Sequence, residues 1–126
     1  MPQTTAKNHQ LTAADYFKAK LDYDMSPYGL HEALEEGTYD YVLVDVRAAE
    51  QFAQGHIPKA INIPLKDLPG KLKTLPKDKT IVTYCGSITC QLAPTAALEL
   101  AQKGFKVKEL HGGIKEWTGM GFPVEK

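Results

Sequence analysis

The stretch Thr80–Gly104 limits most tightly what this chain can fold into. Thr80–Tyr84 is β-branched and aromatic and reads as a short buried strand. Gln91–Lys103 carries Leu92, Ala96, Leu98, Leu100 and Ala101 at helical spacing and stops at Gly104. Only the six residues Cys85 to Cys90 lie between them. A strand that turns this tightly into a helix leaves backbone N–H groups unpaired around a small bowl. Cys85 stands at its lip, where the positive end of the helix favours a thiolate and the amides can hold an anionic group attached to sulfur. A free cysteine is more often a small buried apolar residue. The strand-end position reverses that preference and predicts a partly exposed, reactive thiol of lowered pKa.

The flanking segments supply the frame. Met1–Gln10 reads as a flexible tail and residues 11–126 as one domain, with a helical extension over 11–39 and a core over 40–126. Thr12 caps a helix over Ala13–Tyr23. Ser26 and Pro27 open a second that runs to Glu36 and stops at Gly37, so both helices are expected before the first strand. Tyr41–Val46 is a near-continuous apolar run, the pattern of a parallel strand covered on both faces. Ala48–Gln54 reads as a short helix, His56–Pro64 as a bend and brief strand, and Leu65–Leu75 as a helix interrupted at Pro69–Gly70. Phe105–Leu110 is a last strand, and Gly112–Gly113 leads into a helix from Ile114 that anchors Trp117 in the core. Strand and helix alternate from Asp40 onward, which predicts an α/β fold: a central, mostly parallel sheet with helices on both faces and extra N-terminal helices. In such a sheet the functional crevice lies beyond the carboxyl ends of the strands, where Cys85 sits.

Composition narrows the function. The formal net charge is zero, with 15 basic and 15 acidic residues, so nothing electrostatic points to nucleic acid or an acidic membrane surface. The N-terminal residues carry no apolar h-region, and no apolar run approaches the roughly 20 residues needed to span a bilayer, so a cytoplasmic protein is expected. Two cysteines are too few for a disulfide scaffold or a zinc site, and no Ser/His/Asp order is present.

Three stretches carry a resemblance. The first is Val44-Asp45-Val46-Arg47 with Glu50, followed by Gly55-His56-Ile57-Pro58-Lys59-Ala60-Ile61-Asn62-Ile63-Pro64. The second is Val82-Thr83-Tyr84-Cys85 with its loop. The third is Gly104-Phe105 and Leu110-His111-Gly112-Gly113-Ile114-Lys115-Glu116-Trp117, ending in Gly121-Phe122-Pro123-Val124. In this order and spacing they resemble the rhodanese-like domains, a family that carries a sulfane sulfur as a cysteine persulfide. The resemblance implies a sulfurtransferase that moves sulfur from thiosulfate or a persulfide to a thiol or cyanide through a Cys85 persulfide, without metal or organic cofactor. Gly86, Ser87, Ile88, Thr89 and Cys90 would bind the persulfide through their amides. The implied partner is a small sulfur donor or a protein persulfide; nucleic acid and membrane are not expected, and the oligomeric state is left open.

The loop departs from the commoner family pattern twice. Many members carry Arg or Lys inside it, whereas Gly86, Ser87, Ile88 and Thr89 are neutral, so weak thiosulfate binding is expected. Cys90 stands where Arg, Ser or Thr is common; it reads equally as a small packing residue and as a thiol that resolves the Cys85 persulfide as an intraloop disulfide. Asp45 and Arg47 are supporting residues near the mouth, with Arg47, the only arginine, expected in a bidentate pair with Glu50 and only secondarily in contact with substrate. His56 and His111 read as structural. A phosphatase of the same fold needs a wider loop closed by arginine, which is absent. The alternatives kept are a sulfur-carrier or docking module, and a Cys85/Cys90 dithiol redox protein.

Overall fold

The computed structural model describes residues 10–126; all of the expected tail but Gln10 lies outside them. Helix α1 (Ala13–Tyr23) begins at Thr12, whose hydroxyl accepts the Asp15 N–H at 3.0 Å while the Asp15 carboxylate accepts the Thr12 N–H at 3.2 Å. Helix α2 (Pro27–Glu36) starts from Ser26, which accepts the Tyr28 N–H, and ends at Gly37 in the left-handed region. Between the two lies β1 (Asp24–Met25), which corrects the expectation that both helices precede the first strand. Two residues are too few to show an alternation; they become a strand because Glu109 and Leu110 are there to pair with.

The chain continues through β2 (Tyr41–Asp45), α3 (Ala49–Gln54), β3 (Ile61–Asn62), α4 (Leu68–Lys71), β4 (Thr80–Tyr84), α5 (Leu92–Gln102), β5 (Lys106–Leu110) and α6 (Gly113–Gly119). The expected interruption of the Leu65–Leu75 helix is seen as the single turn of α4 between two 3₁₀ turns. The sheet order is β1-β5-β4-β2-β3, and every neighbouring pair is parallel. No helix of the described residues is long and apolar enough to cross a membrane.

Helices cover both faces of the sheet, and the strand period of two decides which side chain meets which. Val44 and Ile81 point to the face covered by Leu68, Ala93, Ala96 and Leu100. Leu43, Val82, Tyr84 and Leu110 point to the face covered by Leu30, Ile57 and Trp117. Trp117 is fully buried as expected, its indole N–H donating to the Pro123 carbonyl at 2.8 Å. The same alternation sends Tyr84 and Cys85, adjacent in sequence, to opposite faces.

Candidate active site

Strand β4 delivers the site. Its last residue, Tyr84, pairs with Asp45 at the end of β2, and the Val46 N–H donates to the Tyr84 carbonyl at 3.1 Å. The next two carbonyls leave the sheet and bond to α6: Cys85 accepts from the Ile114 N–H and Gly86 from the Lys115 N–H, both at 2.9 Å. Gly113 makes that approach possible, since a Cβ there would collide with the Cys85 carbonyl and its φ is +64°. On the far side of the loop the buried Thr83 hydroxyl donates to the Ala93 carbonyl at 3.0 Å, fastening β4 to the start of α5.

Within the loop, Cys90 N–H donates to the Ser87 carbonyl at 3.1 Å, and the Ser87 and Thr89 hydroxyls bond to one another. Among the described residues, the N–H groups of Gly86, Ser87, Ile88 and Thr89 have no backbone acceptor. Successive N–H groups without backbone partners are the kind of donors from which a nest for an anion is built. The expectation that the Cys90 amide also binds sulfur is corrected, because that N–H is taken by the Ser87 carbonyl; only Gly86 to Thr89 keep N–H groups without a backbone acceptor.

Cys85 differs from expectation in exposure and in pKa: it is 2% exposed rather than open at the lip. Burial pushes its thiol up, to about 11, and the hydrogen bond to Cys90 pushes the same way, outweighing the Ala93 and Gly86 amides. The expected lowering belongs instead to Cys90. Burial works against it there too, but the hydrogen bond from Cys85 and the amides of Leu92 and Gly86 hold it below its ordinary value. Of the two neighbouring thiols, Cys90 is therefore the one that ionises more readily.

The supporting pair is rearranged as well. Asp45 is fully buried and Arg47 is 8% exposed. Arg47 Nε and Nη2 donate to the Asp45 carboxylate at 3.0 and 2.7 Å, and Nη2 also donates to the Gly55 carbonyl at 2.7 Å. The arginine is bidentate as expected, but its partner is Asp45, not Glu50. The strand end places the Asp45 carboxylate inside with Arg47, whereas Glu50 rides the exposed side of α3. The guanidinium lies 6.0 Å from the Tyr84 ring, on the sheet face opposite Cys85, so it braces the strand ends and does not reach the bowl. His56 is a turn residue as expected, with Nδ1 3.0 Å from the Phe52 carbonyl and its backbone paired with Glu125.

The bowl opens beside a cleft of about 520 Å³ that sequence reasoning missed. Ile88 and Cys90 form one side, and Tyr16 and Lys20 of α1, Glu109 of β5 and His111 form others. The sequence of α1 gave no sign of this, because α1 buries none of its residues and serves as a wall, not as core. Lys20 is engaged by Asp24 at 2.7 Å, His111 Nδ1 lies 3.8 Å from the same carboxylate, and Glu109 adds a second carboxylate to the cleft. The cleft therefore offers an anion no free cation of its own.

Comparison with known proteins gives a consistent result. The rhodanese-like domain family matches residues 26–120. A helix-turn-helix transcriptional regulator of Mycobacterium tuberculosis is 42% identical over 87 residues, which is 69% of this chain and 38% of the regulator, so the chain spans well under half of that protein. A sulfurtransferase of Allochromatium vinosum is 38% identical over 88 residues, covering 69% of this chain and 80% of that one. Among solved structures, a Bacillus halodurans protein superposes with a TM-score of 0.83 at 39% identity, covering 90% of this chain and 83% of that chain.

Proposed function

The chain belongs to the rhodanese-like domain family; from that premise we propose that its role is rhodanese-type sulfur transfer, as the names of its sulfurtransferase relatives support, and that sulfur passes through a persulfide on Cys85. The observation that carries this reading is the pairing of a strand-end cysteine with four unpaired loop amides. As the Cys85 sulfur attacks, its proton passes along the hydrogen bond to Cys90. A bond forms from Sγ of Cys85 to the donor's sulfane sulfur, and the donor's S–S bond breaks. The electron pair leaves with sulfite if the donor is thiosulfate, or with a thiolate if it is a persulfide. The outer sulfur then carries the negative charge under the Gly86–Thr89 amides until an acceptor thiol attacks it.

The donor we favour is a persulfide, small or protein-borne, in a reducing cytoplasm. The neutral loop, the buried Arg47 and the carboxylates of the cleft all disfavour thiosulfate, a dianion. Phe17 and Leu21, both well exposed on α1, favour a protein as donor or acceptor, which also keeps the carrier reading in view. Intact-mass spectrometry of the reduced protein after treatment with glutathione persulfide, and separately with thiosulfate, tests the proposal. A cyanide-labile gain of one sulfur with the Cys90→Ser protein, absent from Cys85→Ser, is expected. Labelling that survives in Cys85→Ser would reject it.

A further inference from the structure

Resting on that reading, the structure points to a second outcome for the bound sulfur, which needs no acceptor thiol. Cys90 packs against the same cluster as Cys85, at the other end of a six-residue loop closed by its own N–H on the Ser87 carbonyl. Unlike Cys85 it also lines the cleft. We propose that Cys90 resolves the Cys85 persulfide to an intraloop disulfide and expels the sulfane sulfur as hydrosulfide, making the chain a sulfide-releasing enzyme that a dithiol resets.

The step balances without an external oxidant. The Cys90 sulfur attacks Sγ of Cys85, the inner sulfur, which lies in the cluster that Cys90 packs against. The Cys85–Cys90 bond forms as the bond from Cys85 to the outer sulfur breaks, and the outer sulfur leaves with the electron pair and the Cys90 proton as HS⁻. The sulfane sulfur is reduced by two electrons and the two cysteines are oxidised by two.

Resetting the site is fastest with a dithiol, and the shape of the site says where it enters. With Cys85 covered and Cys90 facing the cleft, an incoming thiolate reaches the Cys90 sulfur and displaces Cys85. A second thiol on the same reductant then frees Cys90. A monothiol must do this in two separate encounters through a mixed disulfide on Cys90, so it resets the site more slowly than a dithiol.

The test is a single-turnover measurement under anaerobic conditions, with the reduced protein, Cys90→Ser and Cys90→Ala each given glutathione persulfide or thiosulfate, and without added thiol. Alkaline pH lets Cys85 ionise in the variants without help from Cys90. The parent is expected to release one sulfide per chain and lose two protons in mass, while both variants hold a stable added sulfur and release less than a tenth as much sulfide. Adding dithiothreitol should then turn the parent over repeatedly. A parent that keeps the added sulfur as stably as the variants would overturn the resolving role while leaving the Cys85 persulfide intact. Failure of parent and variants alike to gain or release sulfur from either donor would overturn both.

Discussion

Gly113 lies against the Cys85 carbonyl with no room for a side chain between them. The contact brings the Ile114 and Lys115 N–H groups onto the Cys85 and Gly86 carbonyls, so the first turn of α6 fixes the start of the loop. One glycine therefore couples packing to the anion nest.

Gly113→Ala should break that coupling. The added methyl meets backbone, which cannot swing aside, in a left-handed conformation that disfavours any Cβ. A loss of roughly 1–3 kcal/mol in stability is expected. Sulfur loading should fall at least tenfold at temperatures where the variant is still folded. Chemical denaturation gives the first number and intact-mass loading the second; a stable variant that loads normally would show that α6 does not hold the loop.

The Asp45–Arg47 pair makes a sharper contrast. Removing one partner of a buried, bidentate pair strands the other charge, so Asp45→Asn or Arg47→Met should cost about 3–5 kcal/mol. Glu50→Ala, on the exposed side of α3, should change stability by less than about 0.5 kcal/mol. Thermal unfolding of the three proteins decides it, and comparable losses at Glu50 and Asp45 would return the pairing to Glu50.

The same pair shows how far the sequence could be read. Local signals were strong where a segment stabilises itself: Ser26 with Pro27, Gly37 and the β-branched run Thr80–Tyr84 marked their elements to the residue. They failed where the deciding partner is remote. Asp24–Met25 is a strand only because Glu109 and Leu110 are beside it, and Cys85 is covered because Leu68, Ala96 and Leu100, remote in sequence, pack on its face of the sheet. Spacing offered Arg47 two carboxylates, and burial, which spacing does not encode, chose Asp45. The bowl was legible because strand, loop and helix are contiguous. The cleft was not, because its walls come from α1, β5 and the loop, three separate parts of the chain.

Proton transfer from Cys85 to Cys90, as proposed, has a kinetic signature. With Cys90 available to take the proton, loading should proceed readily at neutral pH although burial raises the Cys85 thiol to about 11. Cys90→Ser removes that acceptor but leaves the burial, so Cys85 alone should still ionise above the ordinary thiol range. The rate of persulfide formation by Cys90→Ser at neutral pH should drop at least tenfold and climb with pH beyond the point where the parent levels off. Single-turnover loading followed across pH measures both profiles, and superimposable curves would exclude Cys90 as the proton acceptor.

Glu109 sets the last expectation, because it links stability to donor choice. Burial, and after it the nearby charge of Asp24, holds its carboxyl above the ordinary carboxylate range. A group whose folded pKa is raised favours folding below its unfolded value and loses that contribution as pH rises through the folded one. Glu109→Gln cannot ionise, so its melting temperature should gain on the parent as pH rises from below the carboxylate range to neutrality. The same substitution removes a negative charge from the cleft beside Cys90. Its KM for thiosulfate, a compact dianion, should therefore fall several-fold at neutral pH, with less change for glutathione persulfide, whose peptide carboxylates lie away from its sulfur. Melting curves at acid and neutral pH, paired with loading kinetics for both donors, make the two effects separable. A melting difference that does not vary with pH would remove the titration of Glu109 from the account, and an unchanged thiosulfate KM would show that the neutral loop alone disfavours that donor.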